Sequence, residues 1–106
     1  MQFCDFCGEP DPIWAFYAHE FDATMHVINN DTNEVEHVIH QLMEEKWLAC
    51  RVCTRLITEN KLHSLAMRSL SRIDIHVPEH RDAILRSISA MHEAFMQNKT
   101  GGPVPA

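Results

Sequence analysis

Cys4 and Cys7 stand two residues apart, Cys50 and Cys53 do the same, and these two Cys-x-x-Cys pairs take up all four cysteines of the 106-residue chain. A thiolate pair at that spacing can bend around one ion, and two pairs supply the four sulfur ligands of a closed tetrahedral site, so one structural Zn²⁺ is expected. Gly8, directly after Cys7, suits a knuckle turn whose backbone N–H groups aim at the sulfurs. Cys50-Arg51-Val52-Cys53 is followed by Thr54-Arg55-Leu56-Ile57, which places Cys53 in the first turn of a helix. There the free N–H groups and the positive end of the helix dipole would steady four thiolates that outweigh one divalent ion. A rubredoxin-like iron site or two disulfides would use the same thiols. Disulfides need an oxidising compartment, and Met1-Gln2-Phe3-Cys4 has neither the basic nor the apolar stretch of an export signal, so a cytoplasmic location is expected. A redox Cys-x-x-Cys would stand alone in a βαβ setting.

Eight histidines raise the question of catalysis, and His37 and His40, three apart between the knuckles, are the best-placed pair. On a helix they would be neighbours on one face, more often solvated than ligating. His19-Glu20 and the other histidines are dispersed, and no cysteine is left over for a Cys/His arrangement. With three glycines in the chain there is no glycine-rich phosphate loop. The protein is read as a non-enzyme.

The elements that must position the cysteines follow from local pattern. Glu9-Pro10-Asp11-Pro12 forbids helix and marks a stiff turn. Ile13 to Tyr17 and Ala23 to Ile28 are dense in aromatic and β-branched residues and predict two strands, closed by a turn at Asn29-Asn30-Asp31. Val35, Val38, Ile39, Leu42, Met43 and Trp47 recur at three- and four-residue spacing behind Asp31 and Glu34, a capping pair, which predicts a helix over 32–45; a hairpin strand fits the same residues. Leu56, Ile57, Leu62, Leu65, Ala66, Leu70 and Ile73 predict helix, a break near Glu59-Asn60-Lys61, and helix again. Pro78 suits a first helical position, and Ile84, Leu85, Ile88, Met91, Phe95 and Met96 form one apolar face up to Asn98. That face packs on the helix of residues 62–72 or serves as a partner surface, with Ile84, Ile88, Met91 and Phe95 as contacts and a homodimer as one form of it. The organisation expected is a zinc-finger unit over 1–73, an amphipathic helix over 74–98 and a disordered tail over 99–106. The fold class is α+β. No stretch is long and apolar enough for a membrane span.

The charge is lopsided. Residues 1–60 hold 11 acids against three bases, and residues 61–106 hold six bases against four acids, within a net charge of -6. An acidic domain repels a phosphate backbone. A local basic patch of Lys61, Arg68, Arg72, Arg81 and Arg86 is the alternative that would favour nucleic acid.

A knuckle, a β-rich insert and a second Cys-x-x-Cys opening a helix together resemble the treble-clef class of zinc fingers, on Cys4, Cys7, Gly8, Cys50 and Cys53 with Leu56 and Ile57 as the first buried helix positions. Trp14, Phe21 and Trp47-Leu48-Ala49-Cys50 extend a similarity, over roughly the first 70 residues, to small uncharacterised zinc-ribbon-type proteins of actinobacteria and their phages. The resemblance implies metal binding and no activity. The insert rich in His and Glu and the helix after Pro78 depart from that pattern. Zinc-stapled HNH nucleases are treble clefs too, but this chain has no Asp-His pair followed by proline, no asparagine in the matching stretch, and Thr54 where a histidine would follow Cys53.

The leading expectation is thus an interaction module or regulator, which the resemblance would make phage-encoded and directed at a host protein, that engages a protein partner through its acidic half or its last helix. Acidic mimicry of nucleic acid, with Glu34, Glu36, Glu44 and Glu45, is a variant of it. A nucleic-acid-binding or transcription-regulating finger is the alternative, and an HNH-like nuclease the remote one.

Overall fold

A computed structural model describes residues 2–28, 31, 32, 34–42, 45–75 and 77–106, with side chains described outside 23–28 and 35–42. It is an α+β arrangement in which strands come first and helices follow. Strand β1, Trp14–Tyr17, lies in the middle of a three-stranded sheet. Its aromatic and small residues pair antiparallel with β4, Lys46–Ala49, from Trp14 opposite Ala49 to Tyr17 opposite Lys46. Strands β2, Phe21–Ile28, and β3, Val35–Leu42, form a separate antiparallel hairpin, with Phe21 opposite Leu42 and Ile28 opposite Val35.

The helix expected over 32–45 is therefore a strand and a turn. Val35, Val38 and Ile39 are β-branched, stiff at χ1 and well suited to a pleated surface, and pairing along all of β2 outweighs their helical spacing. The Glu34 amide donates to the Thr32 hydroxyl at 3.3 Å, a local turn bond. His37 and His40 both lie on β3, opposite His26 and Ala23 of β2 in the pairing. Asn29 and Asn30 of the expected turn lie outside the described residues.

Helix α1, Arg51–Thr58, stops where the pattern breaks. Asn60 takes a left-handed φ of 58°, and the Lys61 amide donates to the Leu56 carbonyl at 2.8 Å, closing the end before α2, Leu62–Ser71, begins. Pro78 opens a 3-10 turn, Pro78–His80, that feeds α3, Arg81–Asn98. α3 lies against both α2 and β2. No helix among the described residues is long and apolar enough to cross a membrane.

Two points concern the C-terminal part. Phe95 is fully buried and Ile88 is 8 % exposed, while Ile84 and Met91 pack against the core from its margin. Of the two uses expected for this face, packing on α2 is the one seen, and the knuckle and the sheet are covered with it, so Ile88 and Phe95 are not open to a partner. The tail expected to be disordered is ordered instead. Val104–Pro105 forms β5 on the free edge of β1, with Ala15 opposite Val104, and Thr100 and Ala106 donate to the Tyr17 and Ile13 carbonyls at 2.8 and 3.1 Å. Proline is tolerated there because β5 is itself an edge strand, and without it β1 would present unpaired backbone groups to solvent.

Candidate metal centre

The chain from Phe3 to Pro10 folds back on itself, with Phe3 bridging Pro10, the Cys4 amide donating to the Glu9 carbonyl at 2.8 Å and the Gly8 amide to the Cys4 carbonyl at 2.9 Å. Gly8 closes this knuckle at φ 77°, a conformation that side chains with a Cβ rarely adopt. Two anchors hold it. The Asp5 amide donates to the Leu48 carbonyl at 2.8 Å and the Asp5 carboxylate accepts from the Leu48 amide at 2.6 Å, fixing the knuckle to β4. The Ser69 hydroxyl donates to the Phe6 carbonyl, fixing it to α2.

The second pair comes directly off β4. Cys50 is the N-cap of α1, and its sulfur accepts from the Cys53 amide at 3.5 Å, which satisfies one of the helix's orphan donors. Sheet, knuckle and helix start thus converge, and the four sulfurs lie within 4.8 Å of one another. All four cysteines are buried, at 3 % for Cys4, 5 % for Cys7, 7 % for Cys50 and 0 % for Cys53. None is in a disulfide. The Cys7 and Cys50 sulfurs are 3.7 Å apart. Sulfurs at about 2.3 Å from a central ion define a tetrahedron with edges of about 3.8 Å. The separation is that of two ligands on one metal.

The chain matches no family model, no curated protein and no solved structure.

The electrostatics agree with a cation's site. With protons alone to share, Cys4 is held as a thiolate, at about 4, by a hydrogen bond with Cys53 that overcomes the cost of burial, assisted by the Cys50, Cys7 and Phe6 amides. Cys53, the partner in that bond, is pushed far up by it and by burial, and burial also raises Cys7. Crowded thiols that resist ionising together are what a divalent cation relieves, since it binds them all as thiolates.

Arg68, on α2, reaches the cluster from outside, with Nη2 3.9 Å from the Cys50 sulfur. Burial works against its charge, but Cys50, with Cys7 and Cys53 behind it, more than restores it, so the guanidinium is held protonated more firmly than usual. Glu9 pairs with Arg72 at 2.7 Å and with Arg68 at 3.8 Å, and Lys61 pairs with Glu59 at 3.8 Å. Of the basic residues expected to form a nucleic-acid patch, Lys61, Arg68 and Arg72 are therefore engaged with acids of this chain, and Arg81 and Arg86 are exposed on α3.

Sequence reasoning picked out the four cysteines that the fold brings together and missed what surrounds them. Arg68 and Ser69 reach the knuckle from α2, where Arg68 meets the knuckle's own Glu9, and nothing in their local spacing announces it. His92 did carry a signal: it falls between Ile88 and Phe95 on the apolar face of α3. It is 1 % exposed, lies 5.5 Å from the Phe6 ring, and has no hydrogen-bond partner at either ring nitrogen.

Proposed function

We propose that the chain is a small non-enzymatic zinc protein, with a treble-clef-like finger as its scaffold, that works as a protein interaction module. One observation carries this reading: four cysteine sulfurs gathered in a ligand-sized cluster with every cysteine buried. A catalytic zinc keeps one coordination position for water or substrate, whereas four thiolates fill the tetrahedron and leave the ion a structural role. Because a domain of this size gains much of its stability from such an ion, zinc would join the knuckle, the sheet and α1 into one body that presents a surface. The acidic N-terminal half supplies that surface with its character, and a basic protein face is the complementary partner. Pairing of Arg68 and Arg72 with Glu9 counts against the nucleic-acid alternative, since it removes two of the cations that a phosphate backbone would use.

Elemental analysis of the purified protein tests the metal: one zinc per chain is expected, with four thiols that react only after chelation. Iron, or four thiols already paired as disulfides, would overturn it. Affinity capture of the zinc-loaded chain with and without nuclease, against Cys50→Ser, tests the role. A zinc-dependent partner that survives nuclease supports the module, and co-purifying nucleic acid moves the reading to the regulator of transcription.

A further inference from the structure

Four thiolates and one Zn²⁺ leave two negative charges in a buried site, and such charge is costly unless a counter-charge stands near. Arg68 has the position for it. Its guanidinium Nη2 lies 3.9 Å from the Cys50 sulfur and 3.8 Å from the Glu9 carboxylate, and its side chain is 23 % exposed. The second observation concerns access. A surface cleft of about 270 Å³, lined by Glu9, Pro10, Ile13, Val52, Cys50 and Arg68 among others, leads to the most exposed of the four cysteines. Arg68 lines that cleft beside Cys50, in contact with its sulfur. Resting on the zinc reading above, we propose that Arg68 is the counter-charge and the cover of the metal centre, a positioning residue that sets how slowly the metal is surrendered and keeps Cys50 from being the first ligand lost.

Both functions belong to one side chain because a planar guanidinium offers a fixed fork of donors, is weakly hydrated and never loses its proton at ordinary pH. Partners just outside the ligand shell typically change metal affinity by about 10- to 100-fold when removed. The test loads the full chain with zinc and follows transfer to a colorimetric chelator for wild type, Arg68→Met, Arg68→Lys and the distant control Lys61→Met, with N-ethylmaleimide labelling located by peptide mass spectrometry. Arg68→Met is expected to release zinc about tenfold faster or more, with Cys50 labelled first. Lysine should restore most of the wild-type rate, and Lys61→Met should match wild type. A wild-type rate for Arg68→Met, or equally fast release from the Met and Lys variants, would overturn the proposal, the latter because packing rather than charge would then be responsible. Should Arg68→Met not fold, Arg68→Gln takes its place, and release as slow as from Arg68→Lys would be the overturning result. Zinc content of the wild type separates the two readings: a zinc-free wild type removes both, and a zinc-loaded wild type whose release ignores Arg68 removes this one alone.

Discussion

Phe95, in the last turn of α3, meets Phe6, between the two knuckle cysteines, edge to face with ring centroids 5.1 Å apart at 69°. The same Phe95 ring lies 5.2 Å from Trp47 and 6.0 Å from Phe16, so one side chain joins the knuckle, β4 and β1. Truncation to alanine, Phe95→Ala, is expected to cost about 3–5 kcal/mol. Urea unfolding of the zinc-loaded protein measures it, and a loss under about 1 kcal/mol would show that the ring is not central to the core.

Acid should weaken the fold through His92. Burial holds its imidazole at about 4 rather than 6.5, so between those values the unfolded chain takes up a proton that the folded chain refuses. Stability from this residue is fully present above pH 6.5, falls as pH drops, and levels off below about 4, by about 3 kcal/mol in all. Unfolding curves of wild type and His92→Leu across that range isolate the effect, because acid loss of metal is common to both. Parallel curves would reject it.

Gly8 offers a cleaner case of backbone strain. A Cβ built there meets nothing within 4 Å, yet the residue sits at φ 77°. Gly8→Ala is therefore expected to cost about 1–2 kcal/mol through conformation alone, with zinc still bound at one per chain. A neutral substitution, by urea midpoint, would mean the knuckle tolerates a different turn.

Replacing Ser69 by alanine removes the donor to the Phe6 carbonyl and leaves a buried acceptor unpaired. A cost of about 1–3 kcal/mol is expected, with faster exchange of the Cys7 and Gly8 amides by NMR. Unaltered exchange would show that α2 does not hold the knuckle.

Local chemistry in the sequence was enough to locate the four clustered cysteines, Cys50 at the head of α1, the break at Asn60 and the start of α3 near Pro78, because each depends on residues a few positions apart. The segment 32–45 was ambiguous for a physical reason: Val35, Val38, Ile39 and Leu42 satisfy a helical period, and what decides against it is a strand, β2, that only the folded chain supplies. The tail misled because glycine and proline usually signal a chain without a core to join, whereas here β1 needed an edge. Arg68 and Glu9 could not be read at all, since a contact between α2 and a knuckle sixty residues earlier leaves no local trace.

The placement of Phe95 and β5 sets an order on folding during synthesis. All four sulfurs belong to residues 4–53, so the cysteine cluster can assemble while α3 is still being made. The Phe95 ring that covers Phe6 and the strand that closes β1 come from residues 95–105. Until then Phe6 and Trp47 have no Phe95 to cover them and one edge of the sheet stands open. The growing polypeptide therefore passes through an interval in which its cysteine cluster can form while Phe6, Trp47 and one sheet edge are still adhesive, and residues 95–105 end that interval.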